Sequence, residues 1–251
     1  MSKPISIQLY TLRQACAADF PGTLREVAKI GYKGVEFAGF HGMAAAAVAR
    51  LVKDLGLTVS SSHVGMPDGS NIRELADQEK TLGNNLVISG VGPDGFKTVD
   101  DCKRTAERFQ EASRLCAEHG LKMGYHNHWW EFHRVDGRLG YDFMMEAAPD
   151  LLAEVDVYWV AYGKAHAEEV VRQYRTRIPV LHIKDGPLEE GKKHTAVGAG
   201  KMNIPAVIAA ADPAILEWLI VELDDCDTDM MQAVRDSYRY MTTAGLALGN
   251  V

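Results

Sequence analysis

The chain has 251 residues, of which 47% are hydrophobic and 24% are charged, and its formal net charge is −7. This composition is typical of a globular core and excludes a disordered or fibrous chain. The negative charge argues against a nonspecific grip on nucleic-acid phosphates or on an anionic membrane, and no apolar run approaches the ~20 residues that span a bilayer.

Short β-branched segments alternate with longer helical patterns from one end of the chain to the other. Strands are predicted at residues 5–10, 34–39, 58–64, 85–91, 122–128, 154–159, 178–185 and 218–224. Helices are predicted between and after them, at residues 20–30, 43–55, 72–82, 99–119, 142–147, 166–175, 205–211 and 230–243. Eight strand–helix units in roughly 250 residues favour a closed parallel barrel over an open sheet. No linker-like segment interrupts them, so we predict one (β/α)8 TIM-barrel domain over residues 1–251.

Ionisable residues stand at the carboxyl ends of several predicted strands, although the strands of a parallel barrel should be apolar. These residues are Glu36, His63, His126, His128, Asp156, His182, Lys184, Asp185, Glu222 and Asp224. Catalytic side chains of barrel enzymes gather at these strand ends. A cluster of buried carboxylates requires a counter-charge, and a metal ion is the obvious one.

Three carboxylates and one imidazole from units five to eight form the predicted ligand set, namely Glu131, Asp156, His182 and Glu222. These donors suit a hard or borderline divalent ion; we expect one Mn²⁺, with Mg²⁺, Co²⁺ and Zn²⁺ as alternatives. Glu131 lies beyond the predicted strand end and must fold back to reach the ion. If it does not, His126 or His128 is the fourth ligand instead, and the additional imidazole favours zinc.

Six segments in chain order carry a family resemblance, at residues 6–13, 34–39, 124–132, 154–159, 181–185 and 221–224. With them the chain resembles the sugar isomerase/epimerase superfamily with the xylose-isomerase-like barrel, in the branch with a His-Asn-His-x-x-Glu-Phe motif. The resemblance implies a metal held by Glu131, Asp156, His182 and Glu222. It also implies proton abstraction next to the carbonyl of a sugar, keto-sugar or polyol, with the two metal-bound glutamates facing opposite sides of the substrate.

One segment departs from that branch, whose members commonly have Glu-Val-Gly-Glu-Gly after strand seven. Here the segment reads Ala-Val-Gly-Ala-Gly at residues 196–200, so Ala196 and Ala199 replace both acids. This replacement puts in question a contact that those acids would make with the substrate or with a neighbouring group, and it leaves the exact substrate open.

The predicted catalytic residues are Glu131, Glu222, His126 and Lys184. Lys184 shares a strand face with His182 and is suited to polarising a substrate oxygen. The predicted substrate contacts are His63, His128, Trp159 and Glu36. Structural alternatives stay open for these residues: Glu222 and Asp156 as ion-pair partners, one histidine of strand five as a core residue, and Glu36 as an anchor.

The leading hypothesis is a metal-dependent sugar isomerase or epimerase with a small carbohydrate substrate. The nearest alternative is a lyase on the same barrel, dehydrating a keto-polyol or eliminating from a 3-keto-glycoside. An endonuclease IV-like nuclease and a non-catalytic sugar-binding barrel are more remote. We expect a cytoplasmic protein with reduced cysteines and no nucleic-acid or membrane partner; assembly into a homo-oligomer is left open.

Overall fold

The computed structural model describes residues 2–250, and its central feature is a ring of parallel strands. The strands are β1 (Lys3–Gln8), β2 (Gly34–Phe37), β3 (Thr58–His63), β4 (Leu86–Ser89), β5 (Lys122–His126), β6 (Leu152–Asp156), β7 (Val180–Ile183) and β8 (Trp218–Val221). Each pairs in parallel with its neighbours in sequence, and β8 pairs with β1, which closes the ring. The predicted single-domain (β/α)8 barrel is confirmed.

Helices connect the strands on the outside of the ring. They are α1 (Arg13–Ile30), α2 (Ala45–Asp54), α3 (Ile72–Leu82), α4 (Val99–Glu118), α5 (Gly140–Ala147), α6 (Val157–Tyr162), α7 (Ala167–Tyr174), α8 (Ile204–Ala210) and α9 (Met230–Thr243). Short antiparallel strands, Arg134–Val135 and Arg138–Leu139, precede α5, and Ala247–Leu248 pairs with β1. Within residues 2–250, none of these helices combines the length and apolar character needed to cross a membrane.

Helix α4 illustrates how the sequence pattern produces the outer layer. Cys102, Ala106, Phe109 and Cys116 recur every three to seven residues on one face, and all four are buried. The Thr98 hydroxyl accepts a hydrogen bond from the Asp101 N–H at 3.1 Å and caps the first turn. Both cysteines are free thiols inside the core.

The inside of the barrel changes from apolar to charged along the strands. Leu86, Ile88, Val180 and Ile220 form a small cluster inside the ring, separate from the larger core around it. Side chains two residues apart share a face of a strand, so His182 follows Val180 and Glu222 follows Ile220 towards the carboxyl end. This alternation places the ionisable residues above an apolar plug, at the mouth of the barrel.

The predicted sixth strand at residues 154–159 is wrong in its second half. Strand β6 ends at Asp156 and α6 begins at the next residue. Asp156 is the N-cap of this helix, because its Oδ1 accepts a hydrogen bond from the Trp159 N–H at 3.0 Å. The cap holds the carboxylate of Asp156 at the end of β6, and its second oxygen, Oδ2, takes no part in the cap hydrogen bond.

Candidate active site

Four buried side chains converge at the mouth of the barrel. Donor atoms of His126, Asp156, His182 and Glu222 all lie within 4.8 Å of one another. Strands β5, β6 and β7 supply the first three, and Glu222 directly follows β8. Of the predicted ligands, the structure therefore brings Asp156, His182 and Glu222 together, while His126 stands where Glu131 was expected.

The donor chemistry of this group fits a divalent ion. Two carboxylates and two imidazoles are a ligand mix that borderline ions such as Zn²⁺ accept. The Oδ2 atom of Asp156 is buried and makes no hydrogen bond, although the ammonium of Lys184 lies 2.9 Å away. A carboxylate oxygen in this state has a free lone pair for a cation.

Lys184 is the fixed positive charge of the site. Its ammonium is fully buried, 2.9 Å from Asp156 Oδ2, 2.9 Å from Glu222 Oε2 and 2.7 Å from Asp224 Oδ2. Burial lowers the pKa of Lys184, but these three carboxylates outweigh burial and raise the pKa well above its usual value. Lys184 does not line the cavity described below, so its direct contact with substrate stays a prediction.

Glu222 is ionised in this environment. Its Oε2 atom lies 3.0 Å from His182 Nδ1 as well as close to the Lys184 ammonium. Burial raises the pKa of Glu222, but Lys184 and His182 outweigh this effect and hold the pKa well below its usual range.

Glu131 is buried in the turn that follows β5, and its carboxyl oxygens already accept hydrogen bonds from two donors. Its Oε1 accepts from the Tyr125 hydroxyl at 2.6 Å, and its Oε2 accepts from the His128 N–H at 3.0 Å. Burial raises the pKa of Glu131 to about 8. Its role as a metal ligand and as a proton-transfer group stays a prediction, and the arrangement favours His126 as the fourth ligand.

An open cavity of about 710 Å³ lies over the cluster, and His63, His126, His128, Trp130, Glu222 and Asp224 contribute to its lining. The His128 ring stacks on Trp130 with 4.2 Å between the ring centroids. The buried Nδ1 of His128 has no hydrogen-bond partner, and burial lowers the pKa of this ring to about 3. At neutral pH His128 is therefore an uncharged group in the cavity wall.

A smaller pocket of about 240 Å³ adjoins this cavity at Asp224, and Trp159, one of the predicted substrate contacts, lies in its lining. His194 lies in its wall. No sequence pattern accompanies His194, which lies in the loop between β7 and α8. The residue is buried, and its Nδ1 accepts a hydrogen bond from the Asp224 N–H at 3.2 Å. A histidine in a loop gives no sequence signal for such a contact.

Glu36 and His63 lie next to the cluster, on β2 and β3. The carboxylate of Glu36 is fully buried, accepts hydrogen bonds from Gln8 and Ser61, and does not line the cavity. Substrate contact by Glu36 stays a prediction that this position does not support. His63 does line the cavity; burial lowers its pKa, but Glu36 and Glu154 outweigh burial and raise it to about 10.

Glu154 is the member of the site that sequence reasoning missed. It is fully buried on β6, two residues before Asp156, and its Oε2 lies within 3.2 Å of nitrogens of His63, His126 and His182. The strand alternation that points Asp156 into the barrel also points Glu154 inward, and this alternation was the available signal.

Asp185 binds the backbone of the loop at residues 196–202, which includes the segment that departs from the related branch. Its carboxylate accepts hydrogen bonds from the N–H groups of Gly198, Gly200 and Met202. These contacts fix the segment that carries Ala196 and Ala199.

Comparisons with known proteins show the family to which this barrel belongs. The family model described as xylose isomerase-like TIM barrel matches residues 24–244. A sugar phosphate isomerase/epimerase from Parabacteroides distasonis is similar at 26% identity, over 99% of this chain and 96% of that one, with a TM-score of 0.82. No curated protein matches the chain.

Two more distant structures share the fold. An L-ribulose 3-epimerase is 16% identical over 98% of this chain and 95% of its own, with a TM-score of 0.71. The IOLI protein, solved with a zinc atom, is 13% identical over 97% of this chain and 98% of its own, with a TM-score of 0.75. The chain belongs to the xylose isomerase-like TIM barrel family.

Proposed function

We propose that this protein is a divalent-metal-dependent isomerase or epimerase that removes a proton next to the carbonyl of a small sugar or keto-sugar. The observation that carries the proposal is the convergence of His126, Asp156, His182 and Glu222 beside an open cavity at the carboxyl ends of the barrel strands. The similar protein from Parabacteroides distasonis, a sugar phosphate isomerase/epimerase, supports the same reaction class.

These four side chains are the proposed holders of the ion. When bound, the ion supplies a Lewis acid beside the substrate oxygens. With His126 in the place predicted for Glu131, the donor set contains two imidazoles, which favours Zn²⁺ more than the Mn²⁺ expected from the sequence.

Glu222 is the proposed base. It lines the cavity, it is ionised, and the Lys184 ammonium at 2.9 Å from its Oε2 fixes the carboxylate in place. A general base must lie within hydrogen-bond reach of the proton that it removes. Among the carboxylates near the cluster, those of Glu222 and Asp224 line the cavity directly. Lys184 then acts mainly by orienting Glu222 and Asp156.

Two aromatic rings of the cavity lining, His128 and Trp130, are suited to binding the sugar. His128 is uncharged, and its ring lines the cavity. Trp130, stacked on His128, adds an aromatic face, which suits the CH groups of a sugar ring.

The experiment is a screen of ketoses and 3-keto-sugars with the zinc-loaded or manganese-loaded protein, followed by NMR of the products. A product of the same composition with a moved carbonyl or an inverted centre supports the proposal. Loss of water or of a glycosidic substituent would instead assign the protein to the lyases, and Glu222→Gln is the control that should form neither product.

A further inference from the structure

The smaller pocket beside the main cavity is rich in aromatic side chains. It has a volume of about 240 Å³, and its lining includes the rings of Trp129, Tyr158, Trp159 and Tyr162. The ring centroids of Trp129 and Trp159 lie 4.8 Å apart, and they lie 5.8 Å and 5.4 Å from the centroid of Tyr162. Tyr158 is buried, whereas the other three rings are partly exposed. These rings therefore line a hollow that a ligand can enter from solvent.

This aromatic pocket adjoins the cavity over the proposed metal group. Asp224 lines both spaces. Rings of the two spaces are also direct neighbours, because Trp130 of the cavity lies 4.7 Å from Trp129 of the pocket, and His128 of the cavity lies 6.5 Å from Trp159 of the pocket, between centroids. A substrate whose reacting ring lies in the cavity therefore has the pocket within reach of an attached group.

The charged groups at the pocket favour a neutral ligand with hydroxyl groups. The side chains of Asp224 and Asp225 are 36% and 50% exposed, so both carboxylates are open to hydroxyl donors. Lys192 also belongs to the lining, and the Lys184 ammonium lies 4.9 Å from the centroid of the Trp159 ring. Two ammonium groups thus balance two carboxylates, and the pocket attracts neither an anion nor a cation by net charge.

We propose that the aromatic pocket is a subsite for a second sugar ring, so that the substrate is a ketose or keto-sugar joined to another sugar by a glycosidic bond. A sugar combines CH groups, which contact aromatic carbon, with hydroxyls, which donate hydrogen bonds to carboxylates. Pockets for whole drug-sized ligands have volumes of ~300–1,000 Å³, so the smaller volume here suits a single ring. This inference rests on the proposed function, which places the reacting ring in the cavity beside Glu222.

The test compares one ketose with and without a second ring. The probes are D-fructose and three disaccharides, turanose, maltulose and isomaltulose, which carry a glucosyl group on O3, O4 or O6 of fructose. They are titrated into zinc-loaded protein whose four tryptophans are replaced by 5-fluorotryptophan, and fluorine NMR follows each indole. We expect at least one disaccharide to bind at least ~10-fold more tightly than fructose, because its second ring gains the aromatic contacts.

The fluorine signals locate the second ring. The tighter disaccharide should shift the Trp159 signal much more than fructose does, whereas both sugars should shift the Trp130 signal of the cavity. Trp218, the first residue of β8, lines neither space and should stay in place as the internal control. Single Trp→Phe variants assign the signals.

A variant of the pocket tests the same inference through affinity. Tyr162→Ala should reduce the ~10-fold preference for the disaccharide to less than ~3-fold, because one ring of the pocket is lost. Phe143→Ala is the matched control and should keep the preference, since Phe143 is also a partly exposed aromatic residue of a helix but lines neither space. If Tyr162→Ala does not fold, the Trp159 signal of the wild type decides.

Three results would overturn the subsite. They are equal affinities for fructose and the disaccharides, absence of binding by all three disaccharides, and tighter disaccharide binding that leaves the Trp159 signal in place. Failure of the proposed function gives a different pattern. The disaccharide would then bind and shift Trp159, but it would take up no deuterium from D2O next to its carbonyl.

Discussion

The Tyr125 hydroxyl lies 2.6 Å from Glu131 Oε1 and donates a buried hydrogen bond to it. With the His128 N–H on its other oxygen, the carboxyl of Glu131 is held by protein groups alone. Because both carboxyl oxygens of Glu131 already accept hydrogen bonds, we expect His126 rather than Glu131 to be the fourth metal ligand.

The identity of the fourth ligand gives the first prediction. We expect His126→Gln to weaken zinc binding at the Asp156–His182–Glu222 group by at least ~10-fold, whereas Glu131→Gln changes it less than ~3-fold. Calorimetric titration of chelator-stripped protein measures both, and the control is Glu79→Gln, a buried carboxylate away from the site that accepts hydrogen bonds from Ser62 and Asn84. Loss of zinc binding in Glu131→Gln, with His126→Gln unaffected, would restore Glu131 as the ligand.

The second prediction concerns the pH dependence of stability in the metal-free protein. Burial raises the pKa of Glu131 from 4.5 to about 8, so the folded state holds an extra proton between these values. The stability that this proton confers is complete below about pH 4.5 and is lost as the pH rises through about 8. Between about pH 5 and pH 8 the loss should be roughly 4 kcal/mol, and Glu131→Gln should remove it.

Urea unfolding in the presence of a chelator measures this difference. Other buried groups also titrate, so the comparison between wild type and variant isolates Glu131. Glu107→Gln, an exposed position on α4, is the control and should follow the wild type. Equal pH dependence in the wild type and Glu131→Gln would contradict the raised pKa.

The sequence predicts the barrel, its strand order and the strand ends that carry the site, because hydrophobic alternation and segment spacing depend on local sequence. It does not predict Glu154, since a charged residue inside a strand gives no sign of the imidazoles that other strands bring to it. It also leaves Glu131 and His126 unresolved, because the turn after β5 has no periodicity that orients a side chain. The sixth strand was predicted too long because residues 157–159 resemble a strand in composition, whereas the Asp156 cap starts a helix there.

Lys184 provides the third prediction. Replacement by Met leaves Asp156 and Glu222 buried without their counter-charge, so the metal-free protein should lose about 3–5 kcal/mol of stability. Added Zn²⁺ should recover part of the loss, because the ion supplies positive charge at the same carboxylates. Lys201→Met, which removes an exposed ion pair with Glu189, should have a much smaller effect. A Lys184→Met protein as stable as the wild type without metal would remove Lys184 from this role.

Glu222 provides the fourth prediction. Glu222→Gln should lower kcat by ~10²–10⁴-fold on an identified substrate and change KM much less, because an amide cannot accept the proton. Glu217→Gln, exposed at the opposite end of the barrel, is the control. Unchanged turnover in Glu222→Gln would make Glu222 a structural residue.

Solvent deuterium incorporation tests the central claim most directly. The metal-loaded wild type and a ketose or 3-keto-sugar are incubated in D2O, and NMR follows the carbon next to the carbonyl. We expect deuterium to enter at that carbon with the metal-loaded protein, and only at the background rate with the chelator-stripped protein or with Asp156→Asn. Equal incorporation with and without metal, or none with any sugar of the panel, would contradict metal-dependent proton abstraction at this site.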